Sequence, residues 1–220
     1  MFTAGGPPQG ARRAMSALRG FKFGGRGVET GLRTIEKRLS DPRVRRSLFR
    51  VLRGNVLCSI ATVTQANRAH INTAYFAFSA DLDLYFLSDS GSLHCKNLGA
   101  NPSMAIDVFS STQTWGRPDR GVQLFGSAHE ARGREIEAAA RIYARRFRPY
   151  GVVMSGTSKQ DRRQARQLGS YRFYRFVPTR IKILDEREFG GGVFIVTTVE
   201  PPAPRRSKDM DGRAGHRHRI

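Results

Sequence analysis

Apolar and polar positions alternate along much of the chain, and the period changes mark the elements. Over 30–39, Leu32, Ile35 and Leu39 recur at helical spacing. Asp41-Pro42 then reads as an N-cap with proline at the first helical position, and Val44, Leu48, Val51 and Leu52 form one stripe that Gly54 ends. NVLCSIATV (55–63) is a near-continuous apolar run, the pattern of a strand buried on both faces. HINTAYFAF (70–78) is rich in β-formers. LDLYFL (82–87) alternates, with Leu82, Leu84 and Phe86 facing one way and Asp83 and Tyr85 the other, and a hairpin joins the two runs. MAIDVF (104–109) points Met104, Ile106 and Val108 inward. GVQLFGSAHEA (121–131) does the same with Val122, Leu124 and Ala128, and Gly126 inside it marks a bulge or barrel bend. Helical period returns over 134–147 through Ile136, Ala140, Tyr143 and Phe147. A short helix capped at Ser158 and stopped at Gly169 follows, then strands over 171–176, 180–184 and 193–199.

The pattern predicts a mainly β protein: a small closed or partly closed barrel of about six or seven strands with peripheral helices. Four segments are expected: a disordered basic arm (1–28), N-terminal helices (29–53) outside the core, a barrel domain (54–200), and a disordered basic tail (201–220). The arm lacks a sustained amphipathic helix and an apolar signal core, so it reads as a flexible arm rather than a transit peptide.

The net charge of +20 changes this picture less than its size suggests. Residues 1–53 carry 13 basic against 3 acidic residues and 201–220 carry 6 against 2, so most of the excess lies outside the barrel. No RNA-recognition, KH or zinc-finger pattern is present, and nucleic acid is expected only non-specifically, through the tails. No apolar run reaches the ~20 residues of a membrane span. Cys58 and Cys95 suit neither a disulfide framework nor a zinc site, which points to a reducing, cytoplasmic setting and no metal. Paired carboxylates, a nucleophile elbow and a P-loop are all missing, which weakens hydrolase and kinase readings and leaves any catalytic residue unassigned.

The chemistry concentrates in SDSGSLHCKNLGANP (88–102), where a strand runs into a short helix. A helix N-terminus offers free N–H groups and a positive dipole end to a phosphate. Ser92 is the expected N-cap, Ser88 and Ser90 lie on the approach, and His94 and Lys96 supply donors or charge. Helical geometry puts Ser92 and Lys96 on one face and His94 about 160° away, so His94 and Lys96 are alternatives unless the first turn is irregular.

Two stretches carry a resemblance: Ser-x-His-x-Lys-Asn-Leu-x-x-Asn-Pro from Ser92, and Ser-Thr-Gln-x-Trp-Gly followed by Gly-Val-Gln-x-x-Gly from Ser111. With the closing run FYRFVPTRIKILDEREFGGGVFIVTTVE, residues 48–199 resemble the pyridoxamine 5'-phosphate oxidase-like, FMN-binding split β-barrel superfamily. The resemblance implies a homodimer with FMN in grooves at the subunit interface and hydride or electron transfer to a small-molecule substrate. Related branches use deazaflavin or haem, and a non-catalytic carrier is the alternative. It brings Asn72 and Thr73 to the flavin edge and Gln113, Trp115 and Gln123 to its ring. It also implies a substrate other than pyridoxamine phosphate. Leu93 and His94 stand where the oxidase has Arg-Lys, and RIKILDERE replaces its Arg-Leu-His.

Overall fold

The computed structural model describes residues 32–200. Eight strands form one sheet: β1 (Arg33–Glu36), β2 (Leu57–Val63), β3 (Ala69–Phe78), β4 (Leu84–Asp89), β5 (Ser103–Phe109), β6 (Arg120–Glu130), β7 (Tyr171–Asp185) and β8 (Val193–Thr198). The spatial order is β1-β8-β7-β4-β3-β2-β5-β6, and β6 pairs back onto β7 to close a six-stranded antiparallel barrel. Along one side β7 pairs with β6 over nearly its whole length. Along the other it pairs first with β4 (Leu84↔Phe176) and then with β8 (Ile183↔Ile195). That shared strand is what splits the barrel.

Six helices join the strands: α1 (Pro42–Gly54), α2 (Leu93–Ala100), α3 (Arg134–Arg146), α4 (Arg148–Ser155), α5 (Lys159–Gln167) and α6 (Glu186–Phe189). α1 starts as its sequence predicts: the Asp41 carboxylate accepts from the Arg43 N–H at 2.8 Å, and Pro42 opens the helix. Its stripe does not lie outside the core. Val44, Leu48 and Leu52 are fully buried among barrel residues such as Ile106, Leu124 and Ile183. Burial of a leucine of this kind contributes about 1.5–3 kcal/mol.

Several expectations are corrected. The 30–39 helix is strand β1, because Leu32 and Ile35 find no core to face while the edge of β8 offers a backbone ladder. Arg33 N–H donates to Gly192 O and Lys37 N–H to Val196 O, each at 2.9 Å. β2 is buried on one face only: Cys58, Ile60 and Thr62 point inward, and Leu57 is exposed. Leu82 belongs to the β3–β4 hairpin turn rather than to a strand; it is buried there at φ 70°. Ile136 is half exposed, and Ala139 with Tyr143 forms the packed face of α3. The two late strands are one strand running through Pro178. Its missing N–H is tolerated because the β6–β7 register shifts at Phe125/Gly126, the bend expected at Gly126. A Cβ at Gly126 would stand 2.1 Å from Val177 O, so no larger residue fits. The calls on 1–28 and 201–220 lie outside the described residues.

α3 covers only part of the barrel's outside. Ala77, Tyr85 and Phe173 pack under Ala139 and Tyr143. The outer face of β2, β5, β6 and the start of β3 has no such cover, and Leu57, Ile71, Tyr75, Phe109 and Phe125 are exposed on it.

Candidate functional site

The predicted residues fall into two groups on opposite faces of the sheet. The first gathers at an inner mouth, where β4 turns into α2. Asp89 shapes the turn: its carboxylate accepts from Gly91 N–H at 2.7 Å and Ser170 Oγ at 2.9 Å. Those bonds, the Gly91 amide first, hold its pKa below the ordinary carboxylate value. Ser92 follows as the N-cap with extended backbone (φ −65°, ψ 154°), and its hydroxyl does not cap the helix. It lies 3.2 Å from His94 Nε2, and Ser88 Oγ lies 2.7 Å from the same nitrogen. The expectation that His94 points away from Ser92 is thereby corrected. Ser92 stands outside the helix, so helical spacing does not govern the pair.

His94 is buried, with its ring stacked on His70 (centroids 6.4 Å apart, planes at 7°) and tilted on Phe86. Burial, and then the His70 charge, lower its pKa, so the ring is neutral at neutral pH. Asn97, one turn on, donates to Thr62 Oγ1 at 3.0 Å and ties α2 to β2. Lys96 and Ser90 are exposed, and neither joins this cluster. Asn72 is half-buried and donates to Thr73 O at 3.2 Å. As strand neighbours, Asn72 and Thr73 face opposite sides: Asn72 shares a face with Ile60, and Thr73 looks outward opposite Ser59.

The second group lies on the uncovered outer face. Ladder partners place Thr73, Ser59, Asp107, Gln123 and Lys182 in one polar row across β3, β2, β5, β6 and β7. Apolar rows flank it, one of which carries Ile71, Ala61, Ala105 and Phe125. At its β6–β7 end a groove of about 320 Å³ is lined by Asp107, Gln113, Arg120, Gln123 and Lys182, with Phe109, Leu184 and Phe194 as apolar walls. Burial raises the Asp107 pKa. Gln113 closes its own loop: it donates to Ser110 O at 3.2 Å and accepts from Arg120 N–H at 2.6 Å. Trp115 sits exposed on the same loop. Lys182 Nζ lies 3.9 Å from the Phe194 ring centre. A larger cleft of about 940 Å³ opens beside β1 and β8, but it holds none of the predicted residues, so chemistry rather than size selects the groove.

Sequence reasoning missed His70, Asp107, Arg120, Arg172 and Lys182. Arg172 is the ladder partner of Ser88, and Lys182 that of Gln123. Both facts depend on how β7 registers against distant strands, which no local pattern encodes. Among the described residues no cluster of His, Cys, Asp and Glu is arranged to hold a metal, and no helix is long and apolar enough to cross a membrane. Cys58 and Cys95 are free and buried; burial pushes the Cys58 thiol up to about 12.

A six-stranded antiparallel barrel closed by one long shared strand defines the split-barrel class. Within that class, the sequence profile described as pyridoxamine 5'-phosphate oxidase matches residues 46–185, and the chain belongs to this family. It is also similar to the UPF0306 protein YhbP of Salmonella paratyphi A, 37% identical over 75 residues, which are 34% of this chain. The chain spans about half (50%) of the length of that curated relative. Among solved structures, a haem binding protein from Mycobacterium smegmatis superposes with a TM-score of 0.52 at 15% identity, covering 67% of this chain and 55% of that one. A conserved hypothetical protein from Mycobacterium tuberculosis gives 0.52 at 14% identity, over 66% of this chain and 86% of that one. At such identities the structural likeness speaks for the fold alone.

Proposed function

We propose that this chain is an FMN-dependent oxidoreductase that acts, as a homodimer, on a small molecule other than pyridoxamine 5'-phosphate. The Ser88–His94–Ser92 cluster at the mouth of α2 carries the reading. A neutral imidazole with its proton on Nε2 donates toward the two serine oxygens and leaves both hydroxyl hydrogens to point outward. Together with the first-turn N–H groups of α2, these donors fit the phosphate of a flavin nucleotide. FMN, when bound, supplies the hydride or electron transfer; the chain's part is to hold and orient it. Exposed Ile71, Tyr75, Leu57, Phe109 and Phe125 support pairing of two copies through the uncovered sheet face, which also carries the groove and Gln123. Thr73, Gln123 and Trp115 then line the ring side, and the two buried thiols favour a reducing, cytoplasmic setting.

Haem is the second reading, favoured by the His70–His94 ring pair and by the named ligand of the mycobacterial neighbour. The engagement of His94 Nε2 by two hydroxyls weighs against that nitrogen as an axial ligand. The test is cofactor identification on the full chain by absorption spectrum and mass, followed by titration with FMN. Saturable FMN uptake that weakens in Ser92→Ala supports the proposal. A Soret band with no flavin uptake replaces it with haem, and deazaflavin in the mass spectrum replaces the cofactor only. A colourless protein that binds none of the three ends it.

A further inference from the structure

We infer that the outer groove recognises a carboxylate on the small-molecule substrate, with Arg120 as the receiving cation and the buried Asp185 as the residue that positions it. This deepens the oxidoreductase reading, on which it rests for taking the groove as the substrate side.

Arg120 opens β6 and lines the groove, and its ladder partner is Asp185 at the end of β7. Asp185 is fully buried. Its Oδ2 accepts from Ser47 Oγ at 2.7 Å and from Arg50 Nη1 at 3.3 Å, and lies 3.1 Å from Arg120 Nε. A buried carboxylate is tolerable only when paired, and here two guanidinium groups converge on one carboxylate. One positive charge is left over. The Arg120 Nε–H is not aligned on an acceptor, so charge rather than a directed hydrogen bond anchors this side chain. An anchored planar guanidinium presents the fork that matches a carboxylate.

The rest of the groove selects among anions. Lys182 adds a second cation, held over the Phe194 ring. Asp107 and Asp119 also line the groove and oppose excess negative charge. A dianionic phosphate meets two carboxylates there. A monoanionic carboxylate on a neutral or amine-bearing molecule meets Arg120 at one end and Asp107 with the Gln123 amide at the other. The apolar walls Phe109, Leu184 and Phe194 suit the carbon skeleton between them.

The competing account makes Asp185 a structural pin joining α1 to the barrel, with no ligand. Arginine Nε–Hε signals of the full chain, followed by NMR during titration with sodium succinate, separate the two. One signal, assigned by its loss in Arg120→Lys, is expected to move saturably, while sodium chloride at equal ionic strength leaves it in place. Inorganic phosphate is expected to bind more weakly than succinate. Asp185→Asn is expected to weaken succinate binding roughly tenfold in protein that still folds, as a charged network loses its partner. A structural pin would instead lower thermal stability and leave succinate affinity unchanged. No saturable movement, a response that survives Arg120→Lys, or phosphate binding as tightly as succinate overturns the inference; if Asp185→Asn fails to fold, the Arg120→Lys comparison still decides. The titration is run with and without FMN. Succinate binding by a chain that takes up no FMN upholds the carboxylate site and sinks the flavin reading, whereas FMN uptake without succinate binding does the reverse.

Discussion

The inner mouth and the outer groove share strands but are finished differently. At the mouth, His94 is buried, two serine hydroxyls close on one of its ring nitrogens, and Asn97 satisfies Thr62. On the outer face, Thr73 and Gln123 are exposed, and Asp107 stands half-buried between them in the same polar row. The difference follows from cover. α2 lies over the first region, so its polar groups had to find partners within the chain. Nothing in the chain covers the second, so its polar groups remain available to a ligand or to another copy. The mouth is pre-organised by folding, and the groove is completed by association.

That contrast can be broken in graded ways. The largest effect is expected from Ile71→Asp with Phe125→Asp, which puts charge on the apolar row of the uncovered face. The dimer dissociation constant should rise at least ~100-fold, the scale of losing interface anchors, as read by sedimentation equilibrium. A wild-type monomer, or a double variant that still dimerises, would show the face to be merely solvated. Next comes the mouth. Asn97→Ala strands the buried Thr62 hydroxyl and should cost about 1–3 kcal/mol in chemical denaturation. A neutral outcome would mean that water replaces the amide. Ser88→Ala and Ser92→Ala should each weaken FMN binding roughly 3- to 10-fold with little loss of stability, the size of one hydrogen bond.

A smaller effect concerns pH. Because burial holds the His94 imidazole below its ordinary value of 6.5, the unfolded chain takes up that proton first as pH falls. Its stabilisation is complete above 6.5 and is lost progressively below, down to the folded-state value. Denaturation midpoints measured from pH 7.5 to 5 should slope less in His94→Gln, and an identical slope would assign the pH response elsewhere. The smallest change is expected from Gln123→Ala, with stability within about 0.5 kcal/mol of wild type, as for an exposed substitution. A larger loss would show that the groove is as tightly built as the mouth.

How much of this was legible in the sequence depends on how local each feature is. The Asp41-Pro42 start of α1, the inward sets of β5 and β6, the face of α3 through Tyr143 and the Gly126 bend are written within a few residues, and the fold follows from them. β1 was not legible, because three apolar residues at helical spacing cannot reveal that a distant edge competes for the same backbone. The Ser92–His94 contact was hidden by the single extended residue at the cap. Arg120 and Asp185 meet only once β6 and β7 are in register, and Arg172 reaches Ser88 in the same way. The resemblance gathered candidate residues in order along the chain, yet that order does not say which face of a strand each occupies. Asn72 and Thr73 show as much.

The length of β7 also sets an order of events. Its partners β4 and β6 lie far upstream, and its other partner β8 follows it. Until residue 185 is made, β2 to β6 can form only an open sheet, with the edges of β4 and β6 unpaired. Closing the barrel is therefore a late, long-range step that depends on a single strand. Such topologies fold slowly and expose sticky edges meanwhile. A chain stalled or cleaved between α3 and β7 would retain most of its strands and still lack a barrel. Refolding rates should consequently respond most to changes at the β6–β7 seam, where Gly126 faces Pro178.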